Sequence, residues 1–200
     1  MNISFGQVLQ FHQIFGHPIR FYCEPTANIP EKALRFELLR EEVQEFIDAY
    51  RDNNRVEVAD ALGDIAYVAY GAALCFGLDI DHPQFFDVDP DFERLLETER
   101  NTLIQSAKYD LDWADNHLGK AFQSDSIRDI EVALVTVIRS VQGAARFLDI
   151  PLDKVVTAIH RSNMSKLGED GKPIYRPDGK VLKGPFYTPP TYDIKALLSV

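Results

Sequence analysis

Hydrophobic and polar positions repeat along most of this chain with a helical period. Ile3, Val8, Phe11 and Phe15 predict a first helix over residues 3–16, closed near Gly16-His17-Pro18, and a turn-rich loop then runs through Pro25 and Pro30. Leu34, Leu38, Leu39, Val43, Phe46 and Ile47 predict a second helix over 31–51. Asp52-Asn53-Asn54 breaks it, and a third runs from Arg55 to Phe76 and ends at Gly77. Residues 79–90, with Pro83 and Pro90, read as a loop. Further helices are expected over 91–119 and 126–148, and a short one over Leu152 to Met164. The segment IYRPDGKVLK, with β-prone arms around Pro-Asp-Gly, predicts a small β-hairpin before an irregular end through Pro189-Pro190. The fold class is therefore all-α, a helical bundle in one domain spanning 1–200, with a helical block at about 86–149 and a basic tail at about 161–190.

The third helix departs from the usual pattern. An exposed helix has a broad polar face, but EVADALGD places Glu57, Asp60 and Asp64 on one narrow line, within about 60° of one another. Val56, Val58, Ala59, Ala61, Leu62, Ile65 and Ala66 fill the other directions. Carboxylates on a helix buried on most sides are costly unless paired or bound to metal. The preceding helix carries its own acidic row in Glu37, Glu41, Glu42 and Glu45. A connection this short makes the two helices antiparallel neighbours, so both rows converge on one spot. Four or more carboxylates without His or Cys suit a hard cation such as Mg²⁺ or Mn²⁺. A di-iron centre in a bundle would want Glu-x-x-His pairs, and none of the five histidines follows a Glu at that spacing.

Sliding the sequence by 72 positions sets Ala49–Gly77 against Ala121–Asp149 without gaps. Ala61/Ala133, Leu62/Leu134, Gly71/Gly143 and Ala72/Ala144 are among the identical pairs, whereas Asp60 faces Val132 and Asp64 faces Thr136. Two readings remain open: chance likeness of two Ala-rich helices, or a degenerate helical-hairpin repeat that kept the packing and lost the acids.

The net charge of −10 argues against a nucleic-acid partner, whose footprint is basic. Yet Arg161, Lys166, Lys172, Arg176, Lys180 and Lys183 make the segment 161–183 net positive. Lysine is a mobile point charge and arginine a fork, and both are suitable phosphate partners; cations at a helix C-terminus also simply complement its dipole. Two cysteines, no basic apolar leader and a longest apolar run of 14 residues point to a reduced, cytoplasmic, membrane-free setting. His12 and His17, among Phe5, Phe11 and Phe15, read as core and cap residues; the competing reading puts Phe11 and His12 in a wall for a flat ring. Tyr67 extends the acidic line as a packed core tyrosine or a ligand donor.

Glu41-Glu42-x-x-Glu45, a short turn, then Glu57-x-x-Asp60 with Asp64 resembles the EExxE…ExxD signature of the all-α nucleoside triphosphate pyrophosphohydrolases, which include MazG-like proteins, dimeric dUTPases and phosphoribosyl-ATP pyrophosphohydrolases. DALGDIAYVAYGAALCFGLDI and HRSNMSKLGEDGKPIYRPDGKVLKGPFYTPP look closest to the last branch, over roughly residues 1–85 and 150–190. The resemblance implies Mg²⁺-dependent cleavage between the α and β phosphates, giving a nucleoside monophosphate and pyrophosphate, in a role such as nucleotide-pool house-cleaning. Its ExxE ligands fall on Glu42 and Glu45. Its ExxD pair falls on Ala61 and Asp64 when matched through IAYVAYG, or on Glu57 and Asp60 by letters. Asp60 and Asp64 are the expected further ligands, with Glu57 and Glu41 in support. Glu41 is the expected proton acceptor and Lys166 the catalytic cation, with Arg161, Asn163, Lys180 and Lys183 on the substrate. Hydrolysis of phosphoribosyl-ATP itself, or a non-catalytic nucleotide-binding module, are the competing functions. Family members generally complete their bundle with a second subunit, so a homodimer or a single-chain pseudo-dimer is expected.

Overall fold

The computed structural model describes residues 3–84, 102–109, 118–177 and 179–199. In order, its helices are α1 (Ile3–Ile14), α2 (Lys32–Arg51), α3 (Arg55–Phe76), α4 (Thr102–Tyr109), α5 (Lys120–Gln123), α6 (Ile127–Phe147), α7 (Leu152–Met164) and α8 (Thr191–Leu197).

Helix α3 is the axle, packed by α1, α2, α6, α7 and α8. Those neighbours explain its composition, since 17 of its 22 residues are buried. It is long and apolar enough to cross a membrane, but 83% of its apolar window is buried inside the bundle, and burial accounts for the hydropathy. Small residues let its partners approach closely. A Cβ at Gly63 would stand 2.3 Å from Ile159 Cδ1 and 2.9 Å from Val155 Cγ1 of α7. That contact sets where the C-terminal end of α7 meets the acidic part of α3.

The 72-residue relationship reappears as matching helix boundaries. Asn54 caps α3 by accepting from Glu57 N at 3.3 Å, and Ser126 caps α6 by accepting from Asp129 N at 3.2 Å. Both helices exit through a left-handed residue, Gly77 at φ 70° and Asp149 at φ 53°. Leu78 N then bonds Ala73 O at 3.0 Å, and Ile150 N bonds Ala145 O at 2.8 Å. Leu134, Val137, Val141 and Ala144 are buried, as are Leu62, Ile65, Ala69 and Ala72. Helix α6 lies directly against α3, so its apolar face is covered within the chain.

Three expectations need correction or restriction. Among the described residues there is no strand: the expected hairpin reduces to one antiparallel bridge, Tyr175 to Val181, with Arg176 N on Lys180 O and Leu182 N on Ile174 O, each at 2.8 Å. Pro173 and Pro185 bracket the bridge, and neither can donate a ladder hydrogen bond, so the arms do not extend. The irregular end contains α8 instead, with Ile194 and Leu198 buried four apart on one face. Of the helix expected over 91–119, the described part is helical at Thr102–Tyr109; residues 91–101 and 110–117 lie outside the described residues, as do 85–90 of the expected loop.

Candidate functional site

Helices α2 and α3 run antiparallel in a register that can be read from their side chains. Arg35 stands against Gly71, Glu42 acts on Asp64, and Glu45 and Glu57 act on Asp60. The two acidic rows therefore meet, two helical turns from the Arg35 end, or about 10 Å along the axis.

Burial and mutual repulsion make this cluster electrostatically strained. Burial, then Glu45 and Glu41, push Glu42 up to about 8. Asp60 is pushed up to about 6 by burial, Glu57 and Glu45. Asp64 rises well above the usual carboxylate range, chiefly through burial and then through Glu42 and Asp60. Glu45 is raised by burial and Glu41. Asp60 Oδ1 is buried with no hydrogen-bond partner. An orphaned carboxylate oxygen among like charges is a donor that a cation would satisfy. Among the described residues no three His, Cys, Asp or Glu side chains stand close enough to form a closed metal cage. The donor chemistry fits a hard, oxygen-liking cation.

Lysines answer the acids from α7 and the tail. Lys166, just beyond α7, faces Asp64 and Glu42, and burial lowers its proton affinity. Lys183 also offsets the charge of Asp60 and lies 4.5 Å from the centre of the Tyr187 ring. Lys180 bonds both carboxylate oxygens of Glu41, at 3.0 and 2.8 Å. The tail is tied to the end of α7 by Gly184 N on Lys166 O at 3.2 Å and Thr188 N on Ser165 Oγ at 2.9 Å. A Cβ at Gly184 would stand 2.0 Å from Leu167 O, so only glycine admits this approach.

The remaining expected site residues separate. Asn163 is buried and hydrogen-bonds the Tyr67 hydroxyl, which also meets His160 Nδ1 at 2.9 Å. Glu57 is exposed at the mouth of the cluster. Arg161 is exposed and lies 3.6 Å from Asp193 of α8.

A cavity of about 130 Å³ opens from Glu42, Asp64 and Lys166 towards Phe11, His12, His17, Arg35 and Tyr67. Gly179, Lys180 and Val181 of the tail close one side. Phe11 stacks on Phe15 with ring centres 4.2 Å apart and meets Tyr67 edge-on at 5.7 Å. Burial, with the charge of Arg35, holds His12 down at about 3 and His17 at about 4, so both rings are neutral at pH 7. Arg35 and His17 are the lining residues that sequence reasoning missed. The available signal was an arginine one residue after Leu34 and four before Leu39, on the apolar side of α2.

Acidic rows on two neighbouring helices, faced by lysines beside an aromatic cavity in an all-α bundle, define the class of protein with which the chain can be compared. The family model for phosphoribosyl-ATP pyrophosphohydrolase matches residues 8–85, which contain α2, α3 and both acidic rows. The chain is also 32% identical over 178 residues to uncharacterized protein L479 of Acanthamoeba polyphaga mimivirus, covering 82% of this chain and 71% of that protein. No solved structure matches it. That family is part of the all-α, MazG-like pyrophosphohydrolase superfamily, to which the chain belongs.

Proposed function

We propose that this protein is a Mg²⁺-dependent nucleoside triphosphate pyrophosphohydrolase that breaks the bond between the α and β phosphates. The observation that carries this reading is the orphaned Asp60 Oδ1 within a cluster of carboxylates whose proton affinities are raised. Glu42, Glu45, Asp60 and Asp64 would hold the ion, with Glu57 in support; Mn²⁺ has the same ligand preferences. When bound, the ion supplies Lewis-acid polarisation of the phosphate oxygens and lowers the pKa of a coordinated water.

The chain's own residues supply the rest. The cavity takes the nucleoside, with the flat ring against the wall that Phe11 and Tyr67 form and the phosphates at Lys166. Lys166 and Lys183 balance charge on the departing pyrophosphate. Glu41 accepts the proton of the attacking water once Lys180 turns from it to phosphate. Water oxygen bonds to the α phosphorus, the bridging oxygen leaves with the β phosphate, and nucleoside monophosphate and pyrophosphate result.

The family match favours one second reading, phosphoribosyl-ATP as the substrate. Incubation with Mg²⁺ and a panel of triphosphates plus phosphoribosyl-ATP, with products resolved by chromatography, separates the two. Pyrophosphate and a monophosphate from simple triphosphates support the proposal. Release of inorganic phosphate, turnover of phosphoribosyl-ATP alone, or binding without turnover contradicts it.

A further inference from the structure

Arg35 is buried, with 6% of its surface exposed, yet no ion-pair partner meets it among the described residues. Its Nε–H is buried without a hydrogen-bond partner. Among the described residues its side-chain partner is the thiol of Cys75, which also contacts Pro18 O at 3.7 Å. A guanidinium remains charged at any pH a protein meets, and a buried charge needs a compensating group. Arg20 takes Glu24 and Glu31 at 2.8 and 3.2 Å, which leaves Arg35 to whatever enters the cavity.

The space beside Arg35 is specific. A Cβ at Gly71 would stand 3.0 Å from His12 Nε2 and 3.3 Å from Arg35 Nη1, so the absence of a side chain there lets both groups pack against α3 and converge. His12 Nδ1 donates to Pro18 O at 2.9 Å, because a carbonyl can only accept. In the neutral ring, Nε2 therefore carries a lone pair. One wall of the cavity thus sets a charged donor beside a neutral acceptor, roughly 10 Å along α2 from the acids at Glu42.

We propose that Arg35 is a specificity-determining residue that donates to a keto oxygen of the nucleobase while His12 Nε2 accepts from the adjacent ring N–H, so that the preferred substrates carry guanine-, hypoxanthine- or uracil-type bases. This rests on the nucleotide-binding reading of the cavity. A keto oxygen offers two lone pairs and high negative charge to a forked donor, and arginine on guanine oxygen is the commonest specific pairing of its kind. The ring nitrogen of adenine or cytosine offers one lone pair, with an amino donor beside it.

The test is metal-free binding of GMP, IMP and UMP against AMP and CMP, by calorimetry, with triphosphate turnover assayed separately. Keto-base nucleotides should bind at least about tenfold more tightly. Arg35→Met should cut that preference below about threefold with unchanged circular dichroism, and Gly71→Ala should weaken keto-base binding by displacing His12 and Arg35. Equal binding of both classes, no binding of any, or a preference that survives Arg35→Met would overturn the proposal. So would an Arg35-dependent preference for nucleotides bearing a second phosphate whatever the base. Absence of turnover with an Arg35-dependent base preference would refute the hydrolase reading and leave this one standing.

Discussion

Lys180 Nζ lies 3.0 and 2.8 Å from the two carboxylate oxygens of Glu41, joining the tail to α2 across 139 residues of sequence. The pair is substantially exposed, with 34% and 48% of the two side chains accessible. An ion pair of that kind contributes at most about 1 kcal/mol to stability. Its value lies in holding Lys180 beside the cavity that it lines. Lys180→Ala should therefore shift the urea midpoint little, while kcat/KM for triphosphate falls about tenfold or more and Mg²⁺ affinity is retained. A large loss of stability with unchanged kinetics would make Lys180 a structural residue.

The acids give a pH dependence with a defined sign. Glu42 titrates at about 8 in the folded protein and at its ordinary 4.5 when unfolded. The folded state then binds the extra proton, so stability lost by ionising Glu42 is present below 4.5 and disappears as pH rises through about 8. Asp60 acts likewise between 3.8 and about 6. Metal-free protein in EDTA should melt at a higher temperature at pH 6 than at pH 8.5. Mg²⁺ should bind more tightly as pH rises across the same window, since it competes with those protons. Asp60→Asn and Asp64→Asn should flatten the EDTA profile.

The paired caps test the internal repeat. Asn54→Ala and Ser126→Ala each remove one side-chain acceptor from the first turn of a buried helix. Each should cost about 1 kcal/mol in urea unfolding, and the two should add. If α6 is a degenerate copy of α3, a non-hydrolysable triphosphate should titrate to one site per chain, with no second site at Val132 and Thr136. Two equivalents per chain would contradict this.

Much of the bundle was legible because its helices announce themselves locally. Apolar spacing and the Asn54 and Gly77 boundaries placed α2 and α3 within a residue or so, and the same signals placed α6 and α7. The convergence of the acidic rows followed from a short connection between antiparallel helices. Arg35 was not legible, because its burial is created by His12 and Gly71 from two other helices. Helix α8 was hidden by Pro189-Pro190, where a helix start and an irregular end look alike from sequence. The tail bridge was overread as a hairpin because Pro-Asp-Gly marks a turn without saying how far its arms extend.

In the proposed reaction, the acids shared by α2 and α3 hold the ion that supports α–β cleavage. The most direct measurement is product formation from a turned-over triphosphate by the wild type and by Asp64→Asn, with Mg²⁺ and with EDTA. The wild type should release equimolar pyrophosphate and nucleoside monophosphate with Mg²⁺ and nothing in EDTA. Asp64→Asn should remain folded and lose at least about a hundredfold in rate, the scale on which even groups behind a metal ligand act. Equal rates in Asp64→Asn and wild type, or undiminished cleavage in EDTA, would contradict the account.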